Sequence, residues 1–425
     1  MKRSYLSVLA ALAFLAAGTS LAAAAAGTAG LRPPAIPLVT HDPYFSIWAV
    51  KDKLTDDWPR HWTGAVHGLS ALVRVDVKPY RVMGPEPENV PALKQTGLEV
   101  TPTQTTYSFA DAGVELRLTF TSPLLIKDLD IMSRPATYVT ASIRATDGSG
   151  HAVSFFFDAP ASLAVNTRDQ KVVWGRSHVP GLEVMGIGSK DQPVLEKKGD
   201  DLRIDWGRLY LAVPKAEAAE TAMAEADACR DLFAASGRLP DADDMEMPRR
   251  AGDETAAAAV LDFGTVGGTA ASRHLILAYD DGFSIEYFYR KLRPYWRRTG
   301  WEARDLLAAA KKDYASLLER CRAFDADLEA DMLKAGGEKY VFAASLAYRQ
   351  SIAACKLAAD IDGTPLFFPR ENFSNGCIST VDVIYPAAPQ YILLNPVLVR
   401  AMLVPVLDYA KSPQWPFPFA PHDLG

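Results

Sequence analysis

Apolar and polar positions alternate with a period of two along much of the front of the chain. Val73, Val75 and Val77 fall on one side and Arg74, Asp76 and Lys78 on the other, the pattern of a strand with one face buried. Val114, Leu116, Leu118 and Phe120 against Glu115, Arg117, Thr119 and Thr121 repeat it, as do Val139, Ala141 and Ile143, then Val153, Phe155 and Phe157. Further strands are predicted at 202–206, 209–213 and 274–279. Turn signals such as Asp147-Gly148 and Pro180-Gly181 separate many of them, and no helical period intervenes between the early ones. Many strands with short connections imply an antiparallel β-sandwich and not a βαβ sheet. The Ala- and Glu-rich stretch 215–236 suits a helix inserted between strands, and the acidic stretch 237–254 an exposed loop.

The period changes after Asp281. From Trp301 the apolar positions Leu306, Ala310, Tyr314, Leu317, Cys321, Phe324 and Leu328 advance in steps of three and four and share one helical face. Gly336-Gly337 closes that helix, and a second follows with Val341, Ser345, Tyr348, Ile352, Cys355 and Ala359 on one face. Joined by about three residues, the two make an antiparallel hairpin, the repeating unit of all-helical barrels. The remainder, 360–425, offers a polar loop, an apolar stretch at 395–409 and a Pro- and aromatic-rich end. The expected layout is a multidomain β then α chain: a signal peptide at 1–26, a β-sandwich domain at 27–297 with the helix near 215–236, and an incomplete helical domain at 298–425.

Composition narrows the class. The chain has 425 residues, 49% of them of hydrophobic type, enough for more than one complete core. Lys and Arg number 45 against 51 Asp and Glu, a net charge of −6 with neither sign in long runs, so neither nucleic acid nor an anionic membrane is an expected partner. Met1, Lys2 and Arg3, the apolar run from Leu6 to Leu15 and small residues up to Ala26 read as an export signal with an Ala-x-Ala choice near 22–26. Its apolar core is shorter than the ~20 residues of a spanning helix, so the expected destination is the periplasm or the medium. Pro33, Pro34 and Pro37 then favour an extended lead-in, a tether or edge strand. Cys229, Cys321, Cys355 and Cys377 lack paired spacing, which argues against a zinc ribbon and for buried small apolar residues, with one disulfide as the alternative.

The densest polar stretch is Phe368-Pro-Arg-Glu-Asn-Phe-Ser-Asn-Gly-Cys-Ile-Ser-Thr-Val-Asp382. It gathers Arg370, Glu371, Asn372, Asn375 and Asp382 on expected loop backbone, where sites are usually carried. The final residues add Trp415, Phe417, Phe419 and an adjacent His422-Asp423 pair. Hydrolysis of an amide or a glycoside needs a proton donor and a group that activates water, and two separated carboxylates can divide those roles. Glu371, Asp382 and Asp423 are the catalytic candidates; Arg370, Asn372, Asn375, Trp415 and His422 are the candidates for holding a small polar substrate. Caps and surface ion pairs account for single carboxylates equally well, and core packing for the Pro-spaced aromatics. The segments 42–48 and 58–67 also cluster aromatics and His, an edge of the site, but without metal-ligand spacing. No G-x-S-x-G, phosphate loop or dinucleotide fingerprint occurs, which sets aside serine hydrolases, kinases and dehydrogenases.

Five segments together resemble the glutaminase A family of secreted fungal and bacterial proteins: Leu38-Val-Thr-His-Asp-Pro-Tyr-Phe-Ser-Ile-Trp48, Arg60-His-Trp-Thr-Gly64, Arg370-Glu-Asn-Phe-Ser-Asn-Gly-Cys377, Val381-Asp-Val-Ile-Tyr-Pro-Ala-Ala-Pro389 and Pro418-Phe-Ala-Pro-His-Asp-Leu-Gly425. The resemblance implies a β-sandwich followed by an (α/α)6 barrel like that of six-hairpin glycosidases, and hydrolysis of L-glutamine to glutamate and ammonia with no cofactor. It brings no assigned catalytic residues. Members of the family continue past the last of these motifs, so the residues after Trp301 are expected to supply roughly a third of such a barrel and to leave helix faces uncovered. A glycoside hydrolase with paired carboxylates and a non-catalytic carbohydrate-binding fragment are the alternatives on the same architecture.

Overall fold

The computed structural model describes residues 32–371 and 375–425; the export signal expected at 1–26 lies outside them. Among the described residues the chain is β-rich as far as Pro294 and mainly helical from Ala303. Ile36–Thr40 and Ser46–Ala49 pair as a buried hairpin, so the proline-rich lead-in enters the fold directly.

Two larger antiparallel sheets follow. One runs in the order Arg249–Arg250, Lys171–Val179, Leu182–Ser189, Arg208–Pro214, Ala271–Asp280, Ala136–Ala145, Val114–Thr121, Gln104–Asp111, Gln95–Val100. The other runs Ala218–Glu225, Thr255–Val266, His151–Pro160, Ser70–Val75, Lys78–Met83. Alternation sorts the side chains as expected: Val114, Leu116, Leu118 and Phe120 are buried, whereas Arg117 faces solvent. These residues join Val73, Phe155 and Phe157 of the smaller sheet in one core shared by both sheets. The strand His151–Pro160 is covered on both faces, because Phe156 packs under helix α1 (Ala226–Ser236).

Several expectations for this half are corrected. Only the back of 215–236 is helical; Ala218–Glu225 is a strand paired with Thr255–Val266. Ala and Glu favour a helix intrinsically, but burying Ala222 and Met223 against the sheet outweighs that preference. Residues 202–206 form no strand, although Ile204 and Trp206 are buried. Val77 lies beyond the end of its strand and is exposed, since the chain turns through Asp76 at φ 58°. Arg74, expected to face solvent, is buried and donates to the Phe233 and Ala234 carbonyls near the end of α1.

Helices α2 (Ala303–Gly336) and α3 (Glu338–Ala353) form the expected hairpin, with Gly337 alone between them at φ 75°. Glu302 and Asp305 close a capping box at the start of α2. Leu306, Leu307, Ala310 and Leu317 of α2 pack on Leu182, Tyr138 and Ile276, on the outer face of the nine-stranded sheet, so the helical part is seated on the β-rich part.

α3 stops before Cys355 and Ala359, which were expected on its face. Cys355–Ala359 instead pairs with Pro365–Pro369 through a turn at Asp362-Gly363, a hairpin signal. With Ile285–Tyr287 and Arg290–Pro294 these strands form a four-stranded sheet that spans the boundary expected at 297. The polar loop is followed by α4 (Val381–Leu394) and α5 (Pro396–Lys411). The first was not expected; Pro386 and Pro389 each remove a backbone donor inside it, and Ile384 and Tyr391, packed against Leu357, Phe367 and Leu398, offset that loss. Asp382 therefore stands in the first turn of a helix and not on a loop. All four cysteines are free and three are buried. No helix among the described residues is long and apolar enough to cross a membrane.

Candidate functional site

The site begins where the last strand of the four-stranded sheet ends. The Arg370 N–H donates to the Ala354 carbonyl at 2.8 Å, Glu371 N–H to Cys377 at 2.9 Å and Ser379 N–H to Pro369 at 2.7 Å. The loop therefore leaves and re-enters the sheet at one point. The end of the chain docks on its returning arm: Val381 N–H donates to His422 O at 2.8 Å, Leu424 N–H to Ile378 O at 3.0 Å and Ile378 N–H to Gly425 O at 3.2 Å. Backbone pairing thus joins two polar motifs that are distant in sequence. A third segment comes from the β-rich half, where Asp200 Oδ1 accepts the Gly376 N–H at 2.7 Å. A Cβ on Gly376 would lie 2.1 Å from the Gly199 carbonyl oxygen, so this approach requires glycine.

His422 Nδ1 lies 2.9 Å from Asp423 Oδ2 and Nε2 lies 3.6 Å from Asp382 Oδ1. The hydrogen bond to Asp423, with smaller help from Asp382, raises the imidazole above its ordinary pKa, and the same bond lowers Asp423. The Cys377 thiol is pushed up, first by burial and then by the carboxylates of Asp423, Glu371 and Asp200. Glu371 and Asp423 therefore act on one sulfur atom from two motifs. Such a thiol is no ready nucleophile, because surrounding negative charge disfavours the thiolate.

Of the residues expected at the site, Arg370, Glu371, Asn375, Asp382, His422 and Asp423 come together; Asn372 lies outside the described residues. The Asn375 carboxamide oxygen accepts the Cys377 N–H at 2.9 Å, which shapes the turn. Trp415 belongs to a separate aromatic group, with ring centroids 5.0 Å from Phe417 and 6.0 Å from Tyr409 and Phe419.

Sequence reading missed a buried polar seam beside the loop. Lys356 Nζ lies 2.7 Å from Asp42 Oδ2 and 2.8 Å from Asp281 Oδ2, all three nearly inaccessible to solvent. Burial alone would discharge the lysine, but the two carboxylates outweigh it and hold Lys356 protonated. The Arg370 guanidinium stands 5.6 Å from the Trp62 ring centroid, and Trp62 in turn borders a cavity of about 420 Å³ together with Trp48, His61, Gln350 and Ala354. Asp42 and Trp62 lie in segments rich in aromatics and His; Asp200 and Asp281 carry no local signal. Among the described residues, no group of three or more His, Cys, Asp or Glu is arranged to hold a metal ion.

The profile of a domain of unknown function (DUF5127) covers residues 103–331, that of the glutaminase A six helical-hairpin domain covers 337–425, and that of a second domain of unknown function (DUF4964) covers 8–94. The chain belongs to the glutaminase A family. It is similar to glutaminase A of Aspergillus oryzae, 28% identical over 96% of this chain and 60% of that protein. It is also similar to a probable glutaminase of Arthroderma benhamiae, 25% identical over 95% of this chain and 50% of that protein. The chain thus spans between half and three fifths of the length of these curated relatives. A solved structure provisionally described as a kojibiose phosphorylase from the human microbiome aligns at a TM-score of 0.32 and 7% identity, over 77% of this chain and 37% of its own.

Proposed function

We propose that this family member is an exported hydrolase that cleaves a small polar amide, with L-glutamine, to which its relatives' names point, as the first substrate to try. In the proposed enzyme the β-rich half is a β-sandwich and the helices are part of an (α/α)6 barrel, with the site at their junction. The observation that carries it is the docking of His422-Asp423 on the 370–379 loop, which sets Glu371 and Asp423 around the Cys377 thiol.

In this scheme water attacks the amide carbonyl, the carbon–nitrogen bond breaks, and the products are a carboxylate and ammonia. Glu371 accepts the proton of the attacking water. His422 is the proton donor to the departing nitrogen, because its raised pKa keeps it charged nearer to neutrality. Asp423, lowered by His422, is a poor acid and serves to orient the imidazole, with Asp382 on the opposite side.

The test is ammonia release from L-glutamine by the full chain. Glu371→Gln is expected to lower kcat by roughly 10²- to 10⁴-fold, and His422→Asn to remove the alkaline limb of the pH profile, where activity falls as His422 loses its proton. Release of sugar from a glycoside with no ammonia from any amide would overturn the amidase reading in favour of a glycosidase. Export is tested separately by the N-terminal residue of the secreted product, expected shortly after 22–26.

A further inference from the structure

Around Trp62 the chain gathers basic groups without acidic partners. His61 Nε2 lies 3.0 Å from the Pro43 carbonyl oxygen, which only accepts, so the ring proton is on Nε2. Nδ1 is then the acceptor, taking the Thr63 hydroxyl at 3.0 Å and the Thr63 N–H at 3.3 Å. With its hydrogen directed at His61, the Thr63 oxygen accepts from Arg203 Nη1 at 3.4 Å. His61 is thus a neutral prop that orients Thr63 and, through it, Arg203. The His67 ring lies 5.1 Å from that of His61, and Trp62 lies 5.1 Å from His61 on its way to Arg370.

The partners run out here. His67 is only 3% exposed, yet neither ring nitrogen has a hydrogen-bond partner among the described residues, and the same holds for the buried Arg370 Nε. Neither Arg203 nor Arg370 makes an ion pair among the described residues; Asp201 is the carboxylate that acts on Arg203, from beyond contact. Burial drives His61 and His67 down, His67 to about 3, and both guanidinium groups lower His61 further. Buried donors left unpaired are costly, and an anion is the group that accepts from guanidinium and imidazole N–H alike. The floor of this cluster, His61 and Trp62, is also the wall of the cavity of about 420 Å³.

We propose that Arg203, Arg370 and His67 form a binding site for a carboxylate group of the substrate, with Trp62 as its wall and the His61–Thr63 pair as its support. Arg370 is followed directly by Glu371, which joins this cluster to the loop that carries the proposed base. The carboxylate belongs either to an amino-acid amide or to an acidic sugar. Only the choice of glutamine as a probe rests on the amidase reading.

The test is calorimetric titration of the full chain with two matched pairs: L-glutamine against 4-aminobutanamide, which keeps the amide and the amine but lacks the carboxylate, and D-glucuronate against D-glucose. The carboxylate-bearing member of one pair is expected to bind roughly 10- to 100-fold more tightly, and which pair shows it identifies the source. Arg203→Gln is expected to abolish the preference and Arg203→Lys to retain part of it, with thermal midpoints confirming that each variant folds. Thr63→Val, which removes the prop of Arg203 without touching charge, is expected to weaken the preference as a second route to the same answer. Equal affinity within both pairs, or a preference that survives Arg203→Gln and Arg370→Gln in folded protein, would overturn the site. Ammonia release with no carboxylate preference sinks this inference alone, whereas a carboxylate preference without ammonia release sinks the amidase reading alone.

Discussion

Phe156 and Leu393 are both large apolar residues on regular elements, yet the first is wholly buried and the second is 81% exposed. The contrast holds for the regions around them. In the β-rich half both faces of the strand His151–Pro160 are covered, by the second sheet and by α1. Even its charge is answered: Asp158 takes a two-pronged contact from buried Arg230, at 2.7 and 3.1 Å, and Arg230 in turn lies over Trp58. In the helical half α4 and α5 bury Ile384, Tyr391, Leu398 and Met402 on one side and present Tyr385, Ile392, Leu393 and Leu407 to solvent on the other. An apolar sequence becomes core only where a second element meets it.

The contrast can be broken by substitution. Arg230→Ala strips a wholly buried carboxylate of its partner and is expected to cost about 3–5 kcal/mol, read as a fall in the denaturant midpoint of the β-rich half. Gly337→Ala puts a side chain at φ 75° in the one-residue link between α2 and α3 and is expected to cost about 1–3 kcal/mol, seen in the helical half by hydrogen exchange. On the outer face of α4, Leu393→Ser is expected to change stability by less than about 0.5 kcal/mol. A loss of several kcal/mol there would mean that this face is packed in solution.

The seam between the halves responds to pH. Asp325 of α2 accepts the Thr103 hydroxyl at 2.8 Å, and Arg349 of α3 donates to Thr40 at 2.8 Å. Burial pushes Asp325 up to about 6 and Glu329, one turn on, up to about 7, with Arg349 opposing the shift at Asp325. These raised values mean that the folded state holds protons the unfolded chain has released. Their stabilising share is complete below pH ~4, the ordinary carboxylate range, and is lost as pH rises through 6 to 7. The thermal midpoint is therefore expected to fall between pH 4 and 7, and Asp325→Asn with Glu329→Gln to flatten that dependence.

Much of this was legible from one strand or helix at a time. The alternation at Val114–Thr121 and the three-and-four spacing at Leu306, Ala310 and Leu317 named both the element and its buried face, because period and burial are local properties of a segment with one neighbour. The motif holding Arg370 and Glu371 and the pair His422-Asp423 were legible as polar groups on irregular chain. Their meeting was not, since it rests on backbone pairing of 378–381 with 422–425 that no side chain announces. Propensity misread Ala218–Glu225, where an Ala- and Glu-rich run is a strand because the neighbouring edge was open to pairing. It misread α4 as well, where packing of Ile384 and Tyr391 outweighs two prolines. The order of β then α, the apolar faces and the residues capable of chemistry follow from the sequence alone. The folded arrangement settles which charges share a space: Lys356 with Asp42 and Asp281, Arg203 with Arg370 around His61. Electrostatic partnership depends on distance through the fold, and distance along the chain carries almost none of that information.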